Sequence, residues 1–254
     1  MTPEQIATTP HLLVALDFDG TLAPLVDEPM SARMTAETRA AVQALSALPD
    51  TDVAFVSGRS LDHLREIAEH EDDSPVLLAG SHGAEYWVPQ TGAETEADPE
   101  AARLRDRLRE RAEEIVADAE GVWIERKSFG FAVHSRLAAD PAAAAAVHGR
   151  VDDLMRAEAP QWRRREGHDI VEYASRNEGK DAALARLRRI TGATGVLFAG
   201  DDVTDEDALR SLGPDDLGIR VGPGETAASV RVADIGELAV FLRALADRRG
   251  RAQE

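Results

Sequence analysis

Five short apolar runs, each closed by a cluster of small or acidic residues, constrain this chain more than any other feature. Leu12–Leu16 leads into Asp17-Phe18-Asp19-Gly20, and Val53–Val56 into Ser57-Gly58-Arg59. Val76–Leu78 precedes Ala79-Gly80-Ser81, Val196–Phe198 precedes Gly200-Asp201-Asp202, and Leu217–Val221 precedes Gly222. Apolar runs without polar alternation suit strands buried on both faces, as in a parallel sheet. Helix-period segments lie between them: Thr35–Leu48, Ser60–Glu69 with Ser60 as N-cap, and Gly179–Thr191. Strand alternating with helix predicts a doubly wound α/β core. In such sheets ligands bind beyond the carboxyl ends of the strands, where these clusters sit.

The middle of the chain has a different pattern. Pro99–Ala119 reads as a charged helix, with Arg103, Arg107 and Arg111 spaced against Asp106, Glu110 and Glu114. Val122–Lys127 and Phe131–Arg136 read as strands around Ser128-Phe129-Gly130, Asp140–Ala157 as a helix, and Gln161–Tyr173 as a second hairpin. The fold class expected is therefore α/β: a doubly wound, mostly parallel, Rossmann-like sheet core with an inserted small α+β domain. The expected division is core over 1–97, insertion over 98–176 and core again over 177–254. Its borders fall in the turn-rich stretches Pro89–Pro99 and Ser175–Gly179, and the tail from Asp247 is expected to fray.

With 254 residues the chain can bury a core without staples. It has no cysteine, which excludes disulfides, thiolate metal sites and cysteine nucleophiles. The formal net charge of −18 argues against nucleic acid or an anionic membrane as partner. The basic triplet Arg163–Arg165 is explained by a solvated strand edge. Met1–Thr9 does not read as a targeting signal, and the apolar runs fall far short of the ~20 residues that span a bilayer. A cytoplasmic monomer acting on a small molecule is expected.

Two carboxylates two residues apart, Asp17 and Asp19, can face one site if the backbone curls at Gly20. One then serves as nucleophile while the other manages protons, as covalent phosphoryl transfer requires. Alone, the string also fits a surface turn. The acidic run Asp201–Asp207 begins at the end of another buried strand. Carboxylates clustered at one site repel each other, and a divalent cation such as Mg²⁺ relieves that cost. For Asp205–Asp207, a solvated helix N-terminus is an equally simple reading. Ser57, with the amide of Gly58, and Lys180 offer donors for phosphoryl oxygens, although a lysine at a helix start opposes the helix dipole. Lys127 and Lys180 are the two lysines of the chain.

Asp17-Phe-Asp-Gly-Thr21, Ser57, Lys180 and Gly200-Asp-Asp202, in that order on strand tips, resemble the four motifs of the haloacid dehalogenase superfamily of phosphohydrolases. Asp17-Phe-Asp-Gly-Thr-Leu-Ala-Pro24, Val56-Ser-Gly-Arg59, Gly80-Ser-His-Gly-Ala-Glu85 and Gly200-Asp-Asp-Val-Thr-Asp-Glu206 resemble, more narrowly, the trehalose-6-phosphate phosphatases. The likeness runs from His11 to Leu242, with the insertion as the family's cap.

That resemblance implies a Mg²⁺-dependent hydrolysis of trehalose 6-phosphate to trehalose and phosphate through an aspartyl-phosphate on Asp17. Asp19 would be the acid and base. Mg²⁺ would be held by Asp17, the backbone carbonyl of Asp19, and Asp201, with Asp202 in support. Ser57 and Lys180 would bind phosphoryl oxygens, with Thr21, Gly58 and Arg59 as further substrate contacts. In the cap, Glu125, Lys127, His134, Arg136 and Glu172 would recognise the sugar, since alternate strand residues share a face. Ser135 stands where the family commonly has tyrosine, and Asp181 where glycine usually follows the lysine. His82 is not expected to be catalytic. Two alternatives remain: a related capped phosphatase for sucrose phosphate or mannosyl phosphoglycerate, and an inactive partner subunit of a trehalose synthase.

Overall fold

Every residue of the first apolar run is buried because its alternate side chains enter two separate cores. This is seen in a computed structural model, which describes residues 1–95, 99–167, 169–175 and 179–252. The chain divides into two compact units, one of Met1–Thr95 with Glu178–Glu254 and one of Glu96–Asn177.

The first unit begins with a one-turn helix α1 (Pro3–Ile6), then β1 (Leu12–Leu16), α2 (Ala36–Ser46), β2 (Thr51–Val56), α3 (Leu61–Ala68) and β3 (Leu77–Gly80). A hairpin of β4 (Glu85–Val88) and β5 (Gly92–Thr95) follows. The second unit contains α4 (Pro99–Val116), β6 (Trp123–Lys127), β7 (Gly130–His134), α5 (Pro141–Glu158), β8 (Arg163–Gly167) and β9 (Ile170–Ala174). The first unit resumes with α6 (Lys180–Thr191), β10 (Gly195–Gly200), α7 (Asp205–Ser211), β11 (Leu217–Val221), β12 (Val230–Val232) and α8 (Ile235–Ala252).

Among the described residues the first unit forms an eight-stranded sheet in the order β12-β11-β10-β1-β2-β3-β4-β5. It is parallel from β12 to β3 and antiparallel at β4 and β5. Leu12, Val14 and Leu16 pack with Val53, Phe55 and Leu197 beneath α2, α3 and α8. Leu13 and Ala15 pack with Ala54, Val56 and Phe198 beneath α6 and α7. Two-sided burial is why these strands carry no polar alternation. Caps set the helix starts: Thr35 Oγ1 accepts from the Thr38 amide at 3.1 Å and Ser60 Oγ from the His63 amide at 3.4 Å. The chain winds outward from β1 in both directions, so the strand order reverses beside β1, where doubly wound sheets open a crevice.

In the second unit the antiparallel order is β6-β7-β9-β8. Leu108 and Ala112 of α4 and Val147, Val151 and Leu154 of α5 cover one face, against Phe131, Val133, Val171 and Tyr173. β8, with Arg163–Arg165, is an edge strand, as the basic triplet suggested.

Two features depart from the sequence reading. The β4–β5 hairpin occupies part of the stretch read as an interdomain turn. The borders expected at 97/98 and 176/177 fall at residues 96–98 and 176–178, outside the described residues. The tail from Asp247, expected to fray, instead continues α8 to Ala252. The reason is Arg249, which is 1% exposed. Its guanidinium donates to Thr51 Oγ1 at 2.6 Å, to the Thr9 carbonyl at 2.6 Å, to Ala7 at 3.3 Å, and to the carbonyl of Asp50. Replacing Arg249 by methionine leaves these buried acceptors unpaired and should cost about 3 kcal/mol. The melting temperature should fall by about 6–12 °C; a fall within the scatter of surface mutants would show that the guanidinium does not anchor α8.

Candidate active site

The parallel register brings three strand tips side by side. Leu16 pairs with Ala199 on one side and with Phe55 on the other. Asp17, Asp201 and Ser57 therefore leave the sheet at one end, and the Asp17 amide donates to the Ala199 carbonyl at 2.9 Å.

A buried ion cluster forms there. Lys180 Nζ lies 2.5 Å from Asp17 Oδ1 and 2.5 Å from Asp205 Oδ1, with Lys180 3% and Asp205 0% exposed. Lys180 is the first residue of α6, a poor place for a cation on dipole grounds, and the two carboxylates account for its presence. Asp205 Oδ2 accepts from the amides of Asp201 at 3.0 Å and Asp202 at 2.9 Å, which fixes the loop into α7. The Thr21 hydroxyl lies 2.9 Å from Asp201 Oδ1 and 3.3 Å from Asp17 Oδ2, donating to one or the other. Gly20 has φ +80°, and a Cβ there would lie 2.1 Å from Asp201 Oδ2. The glycine thus serves both the turn and the close approach of the carboxylate.

Carboxylate oxygens of Asp17, Asp201 and Asp205 lie within 4.8 Å of one another. Three acids face one ammonium, so the cluster is short of positive charge. Burial, reinforced by Asp205 and Asp201, pushes the Asp17 carboxyl well above its ordinary range, against the pull of Lys180. Burial likewise raises Asp201. The Lys180 ammonium, despite burial, is held protonated by Asp17 and Asp205. A hard divalent cation fits this donor set. Asp205 is committed to Lys180 and two amides, which leaves Asp17 and Asp201 as the better ligands. Asp202, expected in support, is exposed, and its side chain meets the Thr204 hydroxyl at 3.4 Å. Asp205 and Glu206 are buried, so the solvated helix start considered for this run does not describe them.

At the tip of β2, Ser57 Oγ accepts from the Arg59 amide at 3.1 Å. The turn Gly80–Glu85 holds this loop. The Ser81 amide donates to the Arg59 carbonyl at 2.6 Å and the His82 amide to the Ser57 carbonyl at 2.9 Å. Glu85 Oε2 accepts from the Leu61 amide at 3.0 Å and from Ser81 Oγ at 2.6 Å. The His82 ring packs on Gly58, where an added Cβ would stand 2.7 Å from Nε2. The sequence signal for Glu85 is an acid five residues after a strand-ending glycine, Gly80, which does not by itself point to this bracing role. Asp19 does not join the ion cluster through its side chain. Its carboxylate pairs with Arg59, Nε to Oδ2 at 2.7 Å and Nη2 to Oδ1 at 2.7 Å.

In the second unit, strand register places Trp123, Glu125 and Lys127 on the face opposite the apolar core, with Glu172 two strands away beyond Ala132. His134 Nε2 is 2.7 Å from Glu125 Oε2, and Lys127 Nζ lies 3.5 Å from Glu125 and 3.6 Å from Glu172. Burial raises the Glu125 carboxyl, but His134 and Lys127 outweigh it and leave it below its usual value. Trp123, not singled out from the sequence, stacks on His134 at 4.7 Å, and the Arg136 guanidinium lies 5.3 Å from its ring centre. The residues expected to bind sugar thus form one connected polar face.

The raised Asp17 carboxyl fixes a pH dependence. Above its ordinary value of 3.8 the folded chain holds a proton that the unfolded chain has lost, so stability falls as pH rises through that window. Lys180→Met removes the compensating cation and steepens the fall. The deficit in EDTA should reach about 3–5 kcal/mol at pH 8 and shrink at pH 5. Equal deficits in urea unfolding at both pH values would show that Lys180 does not offset these acids.

A trehalose-phosphatase family model matches residues 15–234. The trehalose-phosphate phosphatase of Mycobacterium marinum is 33% identical over 266 residues, covering 95% of this chain and 63% of that protein. This chain thus spans less than two thirds of the length of these mycobacterial relatives. A crystal structure of a trehalose-6-phosphate phosphatase related protein superposes with TM-score 0.76 at 26% identity, covering 92% of this chain and 97% of that one. The C-terminal domain of the Candida albicans trehalose-6-phosphate phosphatase shares the fold, with TM-score 0.77 at 20% identity over 96% of this chain and 95% of that one. Matched across its strand tips and its insertion alike, the chain belongs to the trehalose-phosphatase family.

Proposed function

We propose that this chain is a Mg²⁺-dependent phosphatase hydrolysing trehalose 6-phosphate to trehalose and phosphate. The observation that carries the reading is the buried Asp17, paired with Lys180 and within reach of Asp201 at a strand tip.

In this reading Asp17 attacks phosphorus, the bond from phosphorus to the sugar oxygen breaks, and Asp19 gives that oxygen a proton. Water then attacks the aspartyl-phosphate, passes a proton to Asp19, and leaves phosphate and the restored Asp17 carboxylate. Lys180 holds Asp17 in place and screens its charge against the incoming phosphoryl group. The Ser57 hydroxyl, the Gly58 amide and Thr21 are assigned to binding phosphoryl oxygens. Asp17 and Asp201, with the Asp19 carbonyl, would hold Mg²⁺, which would supply charge neutralisation for the transferring group. The family membership of the chain and its uncompensated acids support both the reaction and the cation.

Sugar choice is assigned to Glu125, Lys127, His134, Arg136 and Glu172. A face built of mutually paired donors and acceptors discriminates well, because a poorly matched sugar leaves buried polar groups unpaired. Trehalose 6-phosphate should exceed sucrose phosphate and mannosyl phosphoglycerate by roughly 10-fold or more in kcat/KM. EDTA should reduce phosphate release by roughly 100-fold or more, with recovery on adding Mg²⁺. A flat substrate panel would overturn the sugar assignment, and full activity in EDTA would overturn the metal. In a separate measurement, Glu125→Ala should lower kcat/KM for trehalose 6-phosphate by about 10–100-fold. Turnover of p-nitrophenyl phosphate should stay near that of the parent; equal losses would place Glu125 in the stability of its own unit.

A further inference from the structure

Arg59 sits where the resemblance implies a substrate contact, yet its Nε and Nη2 fork is directed at an acid of the same chain. Nε and Nη2 both serve Asp19 at 2.7 Å, one to each carboxylate oxygen. The remaining terminal nitrogen, Nη1, lies 3.9 Å from Met30 Sδ. The backbone of Arg59 is pinned on both sides, its amide by Ser57 Oγ and its carbonyl by the Ser81 amide. Ser81 is held in turn by Glu85, which also anchors the first amide of α3. The guanidinium therefore hangs from a fixed frame and presents its fork to a single carboxylate.

That carboxylate needs a fixed frame. Asp19 lies past the end of β1, in the curl around Gly20, with a quarter of its side chain exposed. Two-pronged pairing with a planar guanidinium sets the plane of a carboxylate as a single bond cannot. It leaves the outer lone pairs of both oxygens available to a proton on substrate or water. Proton transfer depends on such placement, and a shift of about 1 Å in a catalytic group can cost about 100-fold in rate.

We propose that Arg59 is a positioning residue that acts through Asp19, orienting its carboxylate for proton transfer, rather than a contact for the substrate. The inference rests on the assignment of Asp19 as acid and base made above. It predicts non-additivity, because an orienting group has nothing to orient once its target is gone.

The test is a double-mutant cycle read on trehalose 6-phosphate and on p-nitrophenyl phosphate, with Mg²⁺ present. Arg59→Ala should lower kcat by about 100-fold while KM stays within about threefold. Arg59→Lys keeps the charge but loses the fork, and should fall nearly as far. In the Asp19→Asn background, adding Arg59→Ala should change kcat by less than about twofold. Losses that multiply in the double variant, or a raised KM with kcat intact, would overturn the proposal in favour of an independent substrate contact. Thermal melting checks each variant, and Arg59→Lys carries the cycle if Arg59→Ala does not fold. If the parent turns over the aryl ester but not the sugar phosphate, the sugar assignment fails while the cycle is still read on the ester. Turnover of neither overturns both.

Discussion

A lysine ammonium with almost no access to water sits between two carboxylates, and much of the first unit is arranged around that contact. Lys180 arrives on the first turn of α6, Asp17 from the tip of β1, and Asp205 from the first turn of α7. Three segments far apart in sequence meet at one charge. Burying ions is expensive, and the attraction offsets it only when the remaining lone pairs are also satisfied. Here Asp205 satisfies its second oxygen with two loop amides, and the same bonds hold Asp201 beside Asp17. One ammonium thus anchors a helix, orders a loop and positions two acids. The negative charge left over is the feature on which the proposed cation site rests.

Much of this was legible in the sequence, for identifiable reasons. Runs such as Leu12–Leu16 lack alternation because both faces of the sheet are covered, so their pattern predicted parallel strands directly. The clusters after Leu16, Val56 and Phe198 pointed to adjacent strand tips because a parallel sheet puts all its carboxyl ends on one side. That Glu125 and Lys127 share one face followed from period-two spacing along a strand, and their side chains do meet at 3.5 Å. These are local rules, and local rules can be read along the chain.

Pairwise choices among competing partners could not be read in the same way. Nothing local distinguishes Asp205 from Asp202 as the acid that meets Lys180; the difference arises from the turn into α7, which directs one inward and the other to solvent. Arg59 lies in a phosphate-site string, yet its fork goes to Asp19. Arg249 lies in a charged stretch at the chain end, with nothing in its neighbours to signal burial. Apart from the Thr51 hydroxyl, its partners are backbone carbonyls, which leave no mark in an amino-acid sequence. Pro89 and Gly92 read as a linker in the sequence, whereas they turn β4 back into the edge strand β5.

The Arg249 anchor also ties α8 and the segment before β1 to one edge of the sheet. Its acceptors, at residues 7, 9 and 50–51, lie at the amino-terminal edge of the sheet, and Arg248 nearby pairs with Glu4. The strand tips that carry Asp17 and Ser57 are at the opposite edge, roughly 17 Å away along a five-residue strand. A label attached to the exposed face of α8 near Arg248 would therefore report on the sheet edge remote from Asp17 and Ser57, so its signal would follow anchoring of the helix and not events at the strand tips.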